Sequence, residues 1–215
     1  MHDEIDGQFT SMRDALKDYT QSEHQELHRH YSFVALFNGR LSLEDYRDLV
    51  KRLYGFYAPL DEAIVATLSK TTSFASYVYV ARAELLGRDL LDLGLSEADI
   101  ASAPICDAAR DLVTSSNVGG VIYVIEGATL GGSFINRASI KLLSADSPDG
   151  RNYWNWCSNV KNERWAMATE YLDHLDISGL GLHGLREGAR STFRLFADWI
   201  APLDKSARAT ERRGN

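Results

Sequence analysis

Apolar residues recur at steps of three and four through nearly every segment of the chain. The clearest case, about residues 42–69, has one apolar stripe formed by Tyr46, Leu49, Leu53, Phe56, Leu60, Ile64 and Leu68. This spacing puts the stripe on one face of an α-helix, because an α-helix repeats every 3.6 residues. No segment shows four or more clean alternations of the kind that predicts a strand, and no internal repeat is visible. The sequence therefore predicts an all-α fold.

Helix start and stop signals set the expected boundaries. Ser42 and Asp45 have the spacing of a capping box, with aspartate in place of the usual glutamate. Gly94 can end one helix, Ser96 can cap the next, and Pro104 suits the first turn of another. The predicted helices span about residues 8–30, 42–69, 73–93, 104–116, 117–144, 150–174 and 183–200.

Composition bounds the organisation of the chain and its partners. With 215 residues, 45% of them apolar, and only four prolines, the chain suits one domain over residues 1–204 with a basic, frayed tail over 205–215. A net charge of −7 argues against nucleic-acid binding. The N-terminus is too acidic for a signal peptide, and no apolar run has the ~18 residues that a membrane span needs. Cys106 and Cys157 fit no CxxC or zinc spacing, which indicates free thiols in a reducing cytoplasm.

Glycines interrupt one of the predicted helices. The stretch VIYVIEGATLGGSF contains Gly127, Gly131 and Gly132, and Gly119 and Gly120 precede it. Each glycine inside a helix costs roughly 1 kcal/mol relative to alanine. At 100° per residue, Gly120, Gly127 and Gly131 fall within an arc of about 40°. Such a stripe allows either close packing of another helix or contact between the helix backbone and a flat, bulky ligand. The sequence of this segment does not decide between the two.

Two histidines share one face of the first predicted helix. His24 and His28 are four residues apart, a spacing that a metal ion could bridge. However, no HExxH motif and no third ligand of convincing spacing accompany them, so a zinc site is disfavoured.

Several motifs together resemble one known family. The stretch LKDYTQSEHQELH resembles the proximal helix of heme oxygenases, in which a threonine and a histidine stand four residues apart, as Thr20 and His24 do. The stretch YVIEGATLGGSFI resembles the distal helix of bacterial heme oxygenases, especially those encoded beside bacterial phytochromes. LSLEDYRDLVKRLYGFYAPLDEAI, LLGRDLLDLG and ARSTFRLFADWI resemble the connecting helices of that subgroup, so the resemblance covers about residues 10–200.

The resemblance implies a heme-oxygenase fold in which heme lies between a proximal helix and a kinked distal helix. It implies that His24 is the iron ligand and that Gly127, Gly131 and Gly132 are catalytic, leaving room for heme and O2. Heme would be both substrate and cofactor, and the family reaction uses O2 and electrons to give biliverdin, CO and Fe²⁺. The electron donor would be a ferredoxin or a reductase, and the biliverdin would serve a bacterial phytochrome.

The resemblance also suggests residues around the heme. Thr20 matches the proximal motif, and Lys17 is the best-placed cation for the heme propionates. Tyr123 corresponds to a tyrosine at the same edge, and Phe193 would form part of the pocket wall. Ala128 occupies the position after the first distal glycine. A solvated lysine and ordinary core packing of the two aromatic residues remain alternatives.

Two positions depart from the family pattern. Many heme oxygenases have an aspartate where this chain has Ala128, and an acidic residue is common one turn after the proximal histidine, where this chain has His28. The first departure keeps open a heme-binding or heme-carrying protein without degradation activity. A thiaminase-like hydrolase on the same scaffold is a third hypothesis, but Cys106 and Cys157 lack the neighbouring carboxylates that it needs.

Overall fold

Helices make up the computed structural model, which describes residues 11–70, 77–175 and 179–213. No strand occurs within these ranges, so the predicted all-α class is confirmed. In chain order the helices are α1 (Met12–Tyr19), α2 (Gln21–Leu27), α3 (Tyr31–Phe37), α4 (Leu43–Leu68), α5 (Ala83–Asp92), α6 (Glu97–Ala101), α7 (Asp107–Asp111), α8 (Val118–Ser139), α9 (Asn152–Asp173) and α10 (Gly179–Arg213).

The glycine-bearing helix α8 lies at the centre of the molecule. It packs along its length against α9, which runs antiparallel to it, and α10 crosses its N-terminal part. On the other side of the core, α4 packs against α5, α7 and α10, and α5 also contacts α9. Short α1 touches α8, α9 and α10, whereas α2 packs on α10. The proximal segment therefore sits at the edge of the core.

Helix α4 agrees closely with its sequence signals. It begins after Ser42, whose hydroxyl accepts a hydrogen bond from the backbone N–H of Asp45 at 3.0 Å. Every residue of the predicted apolar stripe is buried except Leu68, which is half-buried. Gly94 has a φ of +90°, the left-handed conformation that favours glycine after a helix. Ser96 then caps α6 through a complete capping box with Asp99.

The first predicted helix, 8–30, is broken in the structure. Within its described part, α1 ends at Tyr19 and α2 begins at Gln21, with Thr20 between them at φ −111° and ψ 11°. The Thr20 hydroxyl donates to the carbonyl of Leu16 at 2.7 Å, a side-chain bond that competes with regular helix geometry. The predicted apolar positions at the start of this segment are nevertheless buried, including Leu16.

Two other predicted helices are shorter than expected. Of the predicted helix 73–93, residues 71–76 lie outside the described residues, 77–80 are not helical, and α5 begins only at Ala83. The sequence YVYV at 77–80 consists of β-branched and aromatic residues with low helix propensity. Pro104 does not start a helix: residues 104–106 are non-helical, α7 begins at Asp107, and the backbone N–H of Cys106 donates to the carbonyl of Gly55 on α4 at 2.9 Å.

Helix α3 was not predicted, and α10 is longer than predicted. Helix α3 begins after His30, whose ring nitrogen Nδ1 accepts from the backbone N–H of Ser32 at 3.3 Å. Helix α10 continues past the predicted end near residue 200, and its backbone stays helical through part of the predicted tail. The tail residues are mostly good helix formers, which explains the extension. Nε2 of His30 lies 3.1 Å from the carbonyl oxygen of Ile200 and so joins α3 to α10.

A buried ionic network fixes α8 against its neighbours. The Glu126 carboxylate is fully buried and is paired with Arg82 at 2.8 Å and with Arg164 of α9. The hydroxyl of Tyr77 donates to the same carboxylate at 2.7 Å. Burial favours the protonated carboxyl, but the two guanidinium groups outweigh it and hold the pKa of Glu126 below its ordinary value. Glu126 directly precedes Gly127, so this network sets the position of the glycine stripe.

Two buried aspartates cap helices from neighbouring elements. Asp61 of α4 accepts hydrogen bonds from the backbone N–H groups of Arg82 and Ala83 at the start of α5, at 2.7 and 2.8 Å. Asp89 of α5 accepts from the N–H groups of Asn152 and Tyr153 at the start of α9. These carboxylates satisfy N–H groups that have no partner within their own helix.

Helix α8 is long and apolar enough, by length and composition, to cross a membrane. However, 67% of its most apolar window is buried inside the protein. A helix that is apolar on most faces and surrounded by other helices is typical of a globular core. The part of the chain that the structure describes contains no second helix of this kind.

Candidate functional site

One face of α8 changes from packed to open along the helix. Val124 on this face is buried in an apolar cluster with Leu16 of α1 and Phe193 of α10. Three and seven residues further on, Gly127 and Gly131 lie on the same face. A Cβ atom added to Gly131 would meet no atom within 4 Å, and Gly131 is exposed. The face that packs on α1 at Val124 therefore continues as uncovered helix backbone.

The borders of this open face are aromatic. A Cβ added to Gly127 would lie 3.6 Å from the Trp165 ring of α9, an ordinary van der Waals distance. At the other end, Phe134 is 61% exposed, which is unusual for a phenylalanine. Ala128 is exposed beside the two glycines. Sequence analysis missed Trp165 and Phe134 as site residues, because their spacing alone does not distinguish them from core aromatics.

The remaining glycines of α8 are explained by packing. A Cβ on Gly120 would overlap the backbone carbonyl of Leu185 in α10, which cannot move aside as a side chain can. A Cβ on Gly132 would lie 2.7 Å from the Cβ of Cys157 in α9. Gly132, predicted as catalytic with Gly127 and Gly131, therefore faces α9 and not the open face. Of the glycine stripe, close packing of another helix explains Gly120, while Gly131 has open space at its Cβ position.

His24 lies on α2, exposed, beside the apolar cluster. Its ring centroid is 6.0 Å from that of Phe193, so the structure brings together these two predicted site residues. Partial burial, and then the neighbouring His28, lower the pKa of His24 below its ordinary value. The imidazole is therefore neutral at neutral pH, as a metal-binding histidine must be.

Polar contacts hold α2 in place, because none of its side chains is buried. The Glu23 carboxylate forms ion pairs with Arg190 and Arg194 of α10, at 3.1 and 3.2 Å. Arg190 also lies over the Tyr19 ring, with its guanidinium carbon 3.8 Å from the ring centroid. Sequence analysis missed these residues, since nothing in the local pattern of either helix indicates that they pair.

At the edge of the open face the structure brings together Thr20 and Tyr123. Burial raises the pKa of the Tyr123 hydroxyl, and a hydrogen bond with Thr20 partly offsets this effect. The Tyr123 ring also lies 5.7 Å from the ring of Trp165. Lys17 is exposed on α1, one turn before Thr20, and forms no ion pair with any described residue. Its side chain is open to solvent.

The described residues contain no cluster of three or more histidine, cysteine, aspartate or glutamate side chains able to hold a metal ion. The two cysteines are buried, and burial raises the pKa of Cys106 above its ordinary value and that of Cys157 to about 12. Neither thiol is therefore an activated nucleophile at neutral pH. The candidate site combines one neutral imidazole beside Phe193, an uncovered helix backbone on α8, and aromatic borders.

Comparison with known proteins identifies the fold and the family. A family model described as heme oxygenase matches residues 10–202. No curated protein is significantly similar in sequence. Among solved structures, heme oxygenase-1 from the cyanobacterium Synechocystis sp. PCC6803 in complex with heme superposes with a TM-score of 0.74 at 16% identity, covering 95% of this chain and 99% of that one.

Two further structures show the same fold. Heme oxygenase from Leptospira interrogans has a TM-score of 0.71 at 15% identity, covering 90% of this chain and 100% of that one. A domain of unknown function with a heme oxygenase-like fold, from Shewanella denitrificans OS217, has a TM-score of 0.74 at 10% identity and covers 94% of this chain and 96% of that one. At these identities the likeness is one of fold, and the family assignment rests on the family model.

Proposed function

From the premise that the chain belongs to the heme oxygenase family of heme-degrading enzymes, we propose that it binds heme between α2 and the open face of α8, with His24 as the iron ligand. The observation that carries this proposal is the uncovered backbone at Gly131, where no atom lies within 4 Å of the Cβ position. A flat ligand can lie against this surface, whereas a larger side chain would fill it.

The surrounding residues fit a porphyrin. Its two faces need apolar or aromatic contacts, which Phe193 offers on one side and the exposed α8 face offers on the other. Its propionates need a cation and hydrogen-bond donors at one edge, and we assign these roles to Lys17 of α1 and Tyr123 of α8, two helices that contact each other. The site therefore has the mixture of apolar walls and few polar groups that is typical of a cofactor pocket.

Each residue then has a distinct role in the reaction. Bound heme supplies the iron that activates O2, and heme is itself the molecule that is cleaved to biliverdin, CO and Fe²⁺. Neutral His24 donates a nitrogen lone pair to the iron and is a moderate ligand, unlike the thiolate that favours O–O cleavage. Gly127 and Gly131 keep the opposite side free of side chains, so that O2 has room there.

Proton delivery must use water, because Ala128 offers no carboxylate at the position where many family members have one. Ala128 is exposed on the open face, so water can approach the helix backbone beside it. Backbone carbonyl groups near a glycine can accept hydrogen bonds from such water. A positioned water can act as the proton donor that an acid side chain would otherwise be.

We further propose that the biliverdin serves a bacterial phytochrome, that a ferredoxin or a reductase supplies the electrons, and that the protein works in the cytoplasm. The resemblance of YVIEGATLGGSFI to the phytochrome-associated subgroup supports the first point. The buried free thiols are compatible with a reducing compartment.

Hemin titration followed by turnover tests the proposal. The wild-type protein should bind one hemin with the ferric spectrum of a histidine ligand. With ascorbate under air, that spectrum should give way to the green absorption of biliverdin. His24→Ala should lose the ferric spectrum or regain it only with added imidazole, while His174→Ala, an exposed histidine at the end of α9, should behave as wild type.

Two other outcomes would contradict parts of the proposal. A wild-type protein that binds hemin but forms no biliverdin, with ascorbate and with a ferredoxin system, would be a heme carrier. An unchanged ferric spectrum in His24→Ala would show that another group ligates the iron.

A further inference from the structure

The exposed rings of His24 and His28 converge on α2. Their Nε2 atoms are 3.3 Å apart, whereas their ring centroids are 4.5 Å apart. Because the nitrogens are closer together than the ring centres, the rings tilt toward each other at their nitrogen ends. The planes make an angle of 68°, so the rings are not stacked. The two Nε2 atoms are therefore within hydrogen-bond distance of each other at the exposed surface of α2.

This separation matches the distance between two ligands of one metal ion. Imidazole nitrogens lie about 2.0–2.1 Å from Zn²⁺, and two such nitrogens at a tetrahedral angle are about 3.3–3.4 Å apart. The i, i+4 spacing on one helix turn supplies both ligands from a single rigid element. A bound ion would take the place of the hydrogen bond between the two rings, and the nitrogens are already at the separation that the chelate requires.

We propose that, in the heme-free protein, His24 and His28 together bind one divalent first-row transition ion, with water completing its coordination. The pair suits Zn²⁺, Ni²⁺, Co²⁺, Cu²⁺ and Fe²⁺, for which imidazole is a good ligand. The neighbouring carboxylate of Glu23 is held by Arg190 and Arg194, so it is not available as a third ligand. Coordination through two side chains and water gives a site that binds and releases its ion readily.

The proposed metal site of His24 and His28 is related to the heme-cleavage reaction through its iron product. Fe²⁺, which heme cleavage releases, is of the same class as the ions that this chelate takes. His28 therefore gives the released iron a second protein ligand one turn from the first. This role, and the mutual exclusion of heme and the ion, rest on the proposed function, because both need the imidazole of His24.

Isothermal titration of the heme-free protein with Zn²⁺ tests the inference. One Zn²⁺ per chain should bind to the wild type. Loss of an outer-shell partner already weakens metal binding about 10- to 100-fold, so removal of a direct ligand in His24→Ala or His28→Ala should weaken it at least as much. His174→Ala and His183→Ala, which remove exposed histidines elsewhere, should bind Zn²⁺ as the wild type does. Equal Zn²⁺ affinity in wild type and His28→Ala would overturn the inference.

Competition with hemin separates this inference from the proposed function. Hemin-saturated wild type should no longer bind Zn²⁺ at this site, and Zn²⁺ should weaken hemin binding in return. If the wild type binds hemin but takes up no Zn²⁺, the proposed metal site is wrong and the proposed function stands. If Zn²⁺ binds through both histidines but hemin binding does not depend on His24, the chelate stands and the proposed ligand role is wrong.

Discussion

Two glycines of α8, Gly120 and Gly131, have different surroundings in the structure. Gly120 allows the backbone of α10 to approach α8, since a Cβ there would overlap the Leu185 carbonyl. Gly131 has open space at its Cβ position, so no packing requirement explains it. The two residues thus form a natural pair for separating structural from functional glycines.

Substitutions at Gly131 and Gly120 should have opposite effects on the free energy of unfolding. Gly131→Leu should leave the free energy of unfolding of the heme-free protein unchanged or raise it by up to about 1 kcal/mol, because leucine is the better helix former. It should nevertheless block biliverdin formation, since its side chain fills the space proposed for heme and O2. Gly120→Ala should lower the free energy of unfolding by about 1–3 kcal/mol through overpacking. Urea unfolding and hemin turnover measure both effects.

An unaltered turnover rate in Gly131→Leu would show that Gly131 does not face the heme. The glycine would then need another explanation, since the structure shows no neighbour that its side chain would strike.

Glu126 is the second residue with a clear expected effect. Glu126→Gln leaves Arg82 and Arg164 buried without their counter-charge, so the free energy of unfolding at pH 7 should fall by about 3–5 kcal/mol. The matched control is Glu62→Gln, which breaks an exposed ion pair with Arg110 and should change stability by less than about 1 kcal/mol. Denaturant unfolding of both variants decides the comparison.

The contribution of Glu126 to the free energy of unfolding should also depend on pH. Its pKa is lowered in the folded protein, so its contribution is fully present above the unfolded pKa of about 4.3 and is lost as pH falls through the lower folded value. The stability difference between wild type and Glu126→Gln should therefore shrink in acid below about pH 4. A constant difference from pH 7 to pH 3 would contradict the ionised state of Glu126.

At the scale of whole elements, helix ends depend on residues from other helices. Asp89 of α5 caps α9, and burial raises the pKa of Asp89 to about 6, so the ionised carboxylate still prevails at pH 7. Helix α9 in turn carries Arg164 and Trp165, which position and border the open face of α8. By capping α9, the Asp89 carboxylate of α5 thus supports the candidate site without being part of it.

Asp89→Asn should therefore destabilise more than an ordinary surface change. The asparagine amide turns N–H groups toward the N–H groups at the start of α9, which leaves buried donors unpaired and costs about 1–3 kcal/mol. Asp198→Asn, at an exposed position on α10, is the control and should change the free energy of unfolding by less than about 0.5 kcal/mol. Thermal unfolding of the heme-free variants at pH 7 gives the comparison.

Elements with local signals could be predicted from the sequence, and those set by distant contacts could not. Helix α4 has its cap at Ser42 and an uninterrupted apolar stripe, and both are as expected. The bond of Thr20 to Leu16 is local, but Thr129 makes the same bond inside the regular helix α8, so the sequence does not mark a break at Thr20. The non-helical stretch 77–80 depends on contacts with α8 and α9, such as the bond of Tyr77 to Glu126.

The candidate site shows the same division. The resemblance to heme oxygenases predicted His24 as the iron ligand and the distal glycines as catalytic, and these stay predictions. Only the structure separated Gly131, which is open, from Gly132, which packs on Cys157. The ion pairs of Glu23 with α10 required the fold to bring two remote segments together.

At the scale of the whole molecule, the proposed heme site would join α2 and α8, and heme should therefore stabilise the fold. Hemin at about 100 times its dissociation constant should add about 2.7 kcal/mol to the free energy of unfolding, which raises the thermal midpoint by a few degrees. His24→Ala should show a much smaller increase at the same hemin concentration. Differential scanning calorimetry with and without hemin measures the difference, and an equal increase in both proteins would contradict the proposed binding mode.

The absence of buried side chains on α2 has a consequence for the timing of the reaction. An element held by salt links and a few rim contacts opens locally far more often than the α8–α9 pair, whose side chains interlock in the core. In the proposed site, α2 can therefore move away while α8 stays in place, which would give a bulky tetrapyrrole a route in and its linear product a route out. Amide hydrogen exchange should be fast along α2 in the heme-free protein and slow once hemin is bound, and the rate of that local opening would then set an upper limit on product departure.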